Sequence, residues 1–221
     1  MLRLFTLLII LGFTTSCTQK AKTERAAAFK VDESENFLKL FPEIAPRNLH
    51  VYSPRIDTTG YSDKYTGVKI DRSYYKFLAC DNTINPAEID TSYHYFACFR
   101  FKLSENQTGL IIRRLSQYSE TAIDLYTWDN SKKKVINIIN LADAFGDGGW
   151  YFVQDAWIDY VNADKFLDLV IIKKEYNEGA DDTSPGTQSD TSFVFLGNNK
   201  TFKKSNLKLE RSKYHLKYWS E

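Results

Sequence analysis

Between residues 93 and 103 the side chains alternate. Tyr93, Tyr95, Ala97, Phe99, Phe101 and Leu103 are apolar, with His94, Cys98, Arg100 and Lys102 among the residues between them. A period of two over such a run marks a strand buried on one face. Apolar and β-branched runs at 109–115, 122–128 and 134–141 repeat the signal, and Asp129-Asn130-Ser131-Lys132 separates the last two as a turn. This part of the chain therefore predicts a meander. Further strands are expected at 156–160, 167–173, 192–196 and around 200–207, divided by segments rich in Gly, Asp, Asn and Ser. Helical spacing is confined to 34–41, where Phe37, Leu38, Leu40 and Phe41 follow a Ser34 cap and Pro42 ends the run. The segment 177–190, with Gly179, Asp181, Asp182, Ser184, Pro185 and Gly186, is too polar to order itself and predicts a mobile loop.

Composition agrees with a sheet protein. Aromatic residues make up 15% of the chain, with 14 Tyr and 15 Phe, the types that suit a pleated, half-buried surface. The predicted fold class is mainly β, an antiparallel sandwich or partial β-propeller-like sheets with a short N-terminal helix, in one domain over 31–221. A full propeller needs at least four blades of four strands, more than the predicted strands supply. Lys and Arg number 29 against 28 Asp and Glu. So even a balance provides no long-range field for nucleic acid, which is excluded as a partner.

The first residues have a different logic. Met1-Leu2-Arg3 is a short basic region, and 4–13 is an almost unbroken apolar run, much shorter than the ~20 residues a membrane-spanning helix needs. That is the pattern of a secretory signal. Thr14, Thr15 and Ser16 then lead to Cys17, and the stretch resembles a lipobox, with Thr14 where that family usually carries Leu. Looser lipoboxes of this kind are those of Bacteroidetes-type lipoproteins, which the sequence resembles. The resemblance implies diacylglycerol on the Cys17 thiol, cleavage before it, and often acylation of the new amino group; two or more chains anchor stably. The other reading is an ordinary signal peptide cut near Ser16. The expected organisation is a signal peptide over 1–16, a lipidated tether over 17–30, and attachment to a membrane of the cell envelope, outer rather than inner.

Removing Cys17 leaves Cys80 and Cys98 in an exported, oxidising setting. A disulfide between them is expected, closing a loop of ~18 residues for about 3 kcal/mol; two separately buried thiols are the alternative.

One segment carries a recognisable motif. Tyr160-Val161-Asn162-Ala163-Asp164-Lys165-Phe166-Leu167-Asp168-Leu169-Val170 resembles the D-x-N-x-D-G-x-x-D-L-V loop of integrin-like FG-GAP and VCBS repeats. Downstream, Phe195-Leu196-Gly197-Asn198-Asn199-Lys200-Thr201-Phe202 is similar to the strand, asparagine turn and T-F pair of the same repeats. Together they span one degenerate repeat. The resemblance implies a calcium ion held by hard oxygen ligands, here Asn162, Asp164 and Asp168, with Asp159 able to substitute through a bulge. Two positions depart from the pattern. Tyr160 stands where the first Asp belongs, and Lys165 stands where a glycine makes the sharp turn. The alternative is a turn whose Asn and Asp side chains bond their own backbone.

A second constellation, Asp143 to Tyr151, contains Gly146, Asp147, Gly148, Gly149 and Trp150. It has no phosphate-loop spacing. Asp147, Gly148, Gly149 and Trp150, joined by Trp157, are candidates for a rim that stacks on a flat ligand such as a sugar; the other reading is an inter-strand loop pinned to the core by Trp150. No G-x-S-x-G or H-E-x-x-H motif occurs, and His50, His94 and His215 read as structural or solvated. The basic tail from Lys203 to Trp219 reads as a solvated strand edge, or as a face for lipid headgroups or an anionic glycan. The expected function is a non-enzymatic binding or assembly module at the envelope, with a glycan or an envelope protein as partner. A glycan hydrolase is the alternative, and it requires Asp143, Asp147, Asp155 and Asp159 to converge in a cleft.

Overall fold

Sheet pairing dominates the computed structural model, which describes residues 32–54, 64–80, 94–115, 121–179 and 186–218. The signal segment, Cys17 and the tether lie outside the described residues, as does 180–185 of the loop expected to be mobile. Among the described residues no helix is long and apolar enough to cross a membrane. The chain divides into two compact units, 1–36 and 37–221. The described part of the first holds the opening turn of α1 (Glu33–Lys39). Its cap is Asp32 rather than the expected Ser34: Asp32 Oδ1 accepts from the Ser34 amide at 3.1 Å and the Ser34 hydroxyl at 2.7 Å.

Among the described residues, the second unit carries ten strands: β1 (Leu49–Val51), β2 (Val68–Lys69), β3 (His94–Lys102), β4 (Gln107–Leu115), β5 (Ala122–Asp129), β6 (Lys134–Asp147), β7 (Trp150–Asp159), β8 (Asp168–Asn177), β9 (Thr187–Gly197) and β10 (Phe202–Ser205). The sheet is antiparallel, in the order β10-β9-β8-β7-β6-β5-β4-β3-β2, with β1 added to β7. The mainly β, antiparallel expectation holds, and the sheet is open rather than closed into a ring. Its pivot is β6. The residues from Lys134 to Ala142 pair with β5, and those from Asp143 to Asp147 pair with β7. The sheet thus folds on itself, and Ile111, Ile123 and Leu125 of one half share a core with Ala156, Ile158, Leu169 and Ile171 of the other.

The other face of β3–β5 is also buried. Phe37 and Phe41 pack there with Tyr75 and Leu78, around Leu110, Ile112, Tyr126 and Trp128. Tyr75 comes from the 3₁₀ helix Arg72–Phe77, capped by the Asp71 carboxylate on the Ser73 amide. Covering both faces explains why β5 is buried along almost its whole length, a central-strand pattern.

The simple alternation read in β3 breaks at one place. Its register against β4 shifts between Ala97 and Phe99, a β-bulge that reverses which side chains face which way. Tyr95 and Ala97 enter the core under the helices, whereas Cys98 and Phe101 enter the core between the sheet halves. The disulfide expectation is also corrected. Cys80 belongs to the first core and Cys98 to the second, on opposite faces of the sheet, and both are buried free thiols. The Cys98 thiol donates instead to the Tyr65 carbonyl at 3.3 Å.

Both thiols are expected to resist alkylation in the native protein. They should react together on denaturation without added reductant; a denatured, unreduced chain that takes up no label at Cys80 and Cys98 would mean a disulfide and a different packing of β3.

Candidate functional site

The clearest polar constellation lies on the outer face of β7, where β1 joins it. Leu49 pairs with Ile158, His50 with Trp157 and Val51 with Ala156. The period of two sends Leu49 and Val51 into the core and turns His50 outward beside Asp155 and Trp157. The His50 ring stacks on the Trp157 indole at 4.4 Å and 6°, and its Nε2 lies 2.8 Å from Asp155 Oδ2. Asp155 is 0% exposed, a position that a carboxylate tolerates only with partners. Its Oδ2 also accepts from the Lys217 backbone amide at 2.8 Å. Its Oδ1 is buried and, among the described residues, makes no hydrogen bond.

That Lys217 contact fastens the C-terminal segment across the outer face. Tyr214 meets Trp157 edge-on at 5.2 Å, Tyr218 meets Tyr52 at 5.9 Å, and Arg211 forms an ion pair with Asp190 on β9. Beside this strap is a cavity of about 380 Å³ lined by Ile172, Lys174, Asp190, Arg211, Tyr214 and His215. Ile172 is the direct cross-strand partner of Asp155. Burial pushes the Tyr214 phenol above its ordinary range, and the Asp159 charge adds to that, so its hydroxyl stays a donor at neutral pH. The result is a small polar pocket with both signs of charge and an aromatic wall, suited to holding a polar molecule.

The loop read as a calcium site joins β7 to β8. Asp168 is 0% exposed and accepts three backbone N–H groups, from Val161 at 2.9 Å, Asn162 at 3.3 Å and Gly197 at 2.9 Å. Asp164 accepts from the Phe166 amide at 2.7 Å and the Asn162 side chain at 3.0 Å, while Asn162 Oδ1 accepts from the Asp164 amide at 3.2 Å. The oxygens face the loop's own donors. Among the described residues no three His, Cys, Asp or Glu side chains gather around a metal position. Asp159 ends β7 opposite Asp168, within the ladder. The left-handed residue is Ala163, with φ 60°, not Lys165, so the strain expected at the lysine falls two residues earlier. At Gly197 a side chain has no room, because a Cβ would come within 2.0 Å of the Leu167 carbonyl.

The glycine constellation is a hairpin turn. Asp147 pairs with Trp150, and Gly148 and Gly149 between them take φ of 56° and 83°, the two positive angles of a type I′ turn. Trp150 packs between Phe145 at 5.9 Å and Phe152 at 5.3 Å. Trp150 and Trp157 are odd in separation along β7, so they occupy opposite faces and do not form one surface. Sequence reasoning passed over His50. The one available signal was Asp155, a lone acid in the apolar run from Phe152 to Ile158, which requires a partner that no local pattern names.

Truncating one member of a buried pair costs about 3–5 kcal/mol. His50→Ala is expected to lower stability by about 3 kcal/mol in denaturant unfolding and to expose the strap to limited proteolysis; unchanged cleavage would mean that the strap is held elsewhere. Asp168→Ala should cost about 3 kcal/mol, since it removes a buried carboxylate that accepts three partly buried backbone amides, while millimolar calcium should leave the melting temperature of the native protein unchanged. A calcium-dependent rise would show that the loop oxygens turn outward to an ion. No protein-family model, curated protein or solved structure matches this chain.

Proposed function

We propose that the chain is an exported, bacterial-type lipoprotein, anchored by lipid on Cys17 to a membrane of the cell envelope, the outer one in the first place. Its β domain is a binding or assembly module for a glycan or an envelope protein, and 160–202 is one degenerate FG-GAP/VCBS-like repeat. The lipobox-like run ending in Thr14-Thr15-Ser16-Cys17 supports the anchor. Support for the repeat comes from the strand, loop, strand and asparagine turn that succeed one another from β7 to β10, with Asn198 Oδ1 accepting from the Lys200 and Thr201 amides.

The observation that favours binding over hydrolysis is the placement of the acids. Asp143 pairs with Gln154 and Asp147 with Trp150, which puts them on one face of the sheet, whereas Asp155 and Asp159 sit at the odd positions of β7 on the other. Within each pair the spacing is four residues, about 13 Å at the rise of a strand. Two-carboxylate glycoside hydrolysis needs about 5–10 Å. The cavity beneath the strap, with its mixed charges and aromatic wall, suits reversible binding.

Expressed as the full precursor, the protein should be recovered from the membrane fraction with a mass equal to the chain from Cys17 plus its lipid. Cys17→Ala should lose that mass increment and leave the membrane. An unmodified chain that begins elsewhere would overturn the anchor.

A further inference from the structure

A second hollow, larger than the cavity under the strap, opens at the end of the sheet where the β3–β4 turn meets the β7–β8 loop. Its volume is about 680 Å³, and its walls include Lys102, Ser104, Glu105, Asn106, Tyr160 and Lys165. We propose that this cleft binds a short acidic oligosaccharide, with the Tyr160 ring as its stacking platform.

Tyr160 is 42% exposed, unusual for so large a ring beside a tightly bonded loop. The cause is local. Asp168 draws the Val161 and Asn162 amides inward, and the residue just before them is left on the outside, at the cleft. Lys165 reaches the same space, its ammonium 5.3 Å from the Phe166 ring. The two positions at which this loop departs from a calcium-loop pattern are therefore both cleft residues.

The polar groups around the ring are available for a ligand. Among the described residues, no hydrogen bond or ion pair uses the side chains of Lys102, Ser104, Glu105, Asn106 or Asn199. A sugar presents an apolar C–H face to an aromatic ring and hydroxyls that both donate and accept around its rim. Amides, a hydroxyl and charged groups encircling a ring match that chemistry. Two lysines against one glutamate favour a sugar that carries a carboxylate. The cleft also continues around the turn: a further hollow of about 390 Å³ shares Lys102, Ser104 and Glu105 with it, so the surface accommodates more than one residue of a chain. Nucleic acid does not fit the even overall charge.

The inference rests on reading the domain as a binding module. It is tested on the mature, detergent-extracted protein by calorimetry with trigalacturonate, maltotriose and chitotriose. Trigalacturonate is expected to bind best. Tyr160→Ala should weaken it about tenfold or more, and Tyr160→Phe should retain it, because a ring rather than a hydroxyl does the stacking. Lys102→Ala should reduce the preference for the acidic sugar. No binding in the panel, or binding indifferent to Tyr160→Ala, overturns the cleft. Binding that survives Tyr160→Ala but is lost on Lys174→Ala moves the glycan to the cavity under the strap, overturning this inference while sparing the binding-module reading.

Discussion

Everything in the larger unit hangs on one strand having two partners in succession. β6 pairs with β5 up to Ala142 and with β7 from Asp143, so the two halves of the sheet must fold toward each other at that junction. A backbone that changes partner leaves polar groups at the crossing, and these are met by side chains. Asp124, buried at 3% exposure, accepts from Arg114 Nε at 3.1 Å and Asn140 Nδ2 at 2.9 Å. Gln154 donates to the Asn140 side chain at 2.8 Å and also reaches the Asn140 and Leu141 carbonyls. Four consecutive strands are thereby tied by one polar chain. Burial alone would lower the Arg114 pKa, but the charge and hydrogen bond of Asp124 outweigh it and raise it, so the arginine stays charged. Networks of this sort are stabilising only when satisfied, and they specify one geometry among several apolar ones.

The apolar signal was enough to locate β4, β5, the start of β6, and β8, because their side chains fill the two cores. It failed where a strand serves two surroundings. In β3 the bulge at Cys98 sends Ala97 and Phe101 to different cores, yet both fall on the same phase of the sequence alternation. In the second half of β6, Phe145 and Gly146 continue the ladder almost to the Gly148-Gly149 turn. The sequence there reads as a loop because glycines and acids outnumber apolar residues. A strand that extends beyond the core needs no apolar face, so hydropathy cannot reveal it. The hairpin signal was present in two adjacent glycines, whose positive φ angles match the twist of the strands they join.

The site was less legible than the fold, for a physical reason. His50 and Asp155 are 105 residues apart, and nothing near either residue encodes the other. What joins them is the addition of a three-residue strand, β1, to a part of β7 that β6 has already left. That vacancy exists only because β6 changes partner. In the β7–β8 loop the partners are mostly local: Asp168 accepts the amides of Val161 and Asn162, seven and six residues away in the chain, as well as that of Gly197.

Asp155 and Asp168 thus do the same structural work at different surfaces of one half-sheet. Each is a buried carboxylate on a rigid strand that accepts backbone amides from a segment with little core of its own, the strap through Lys217 and the loop through Val161 and Asn162. Charge-assisted hydrogen bonds of this kind are roughly twice as strong as neutral ones, which suits segments that contribute few apolar contacts. Anchoring the segments from below leaves their outward side chains uncommitted. Tyr160, Lys165 and His215 are exposed beside hollows, on backbone held by residues that never meet solvent. Exposed residues on such a scaffold can change without disturbing the core, whereas Asp155 and Asp168 cannot.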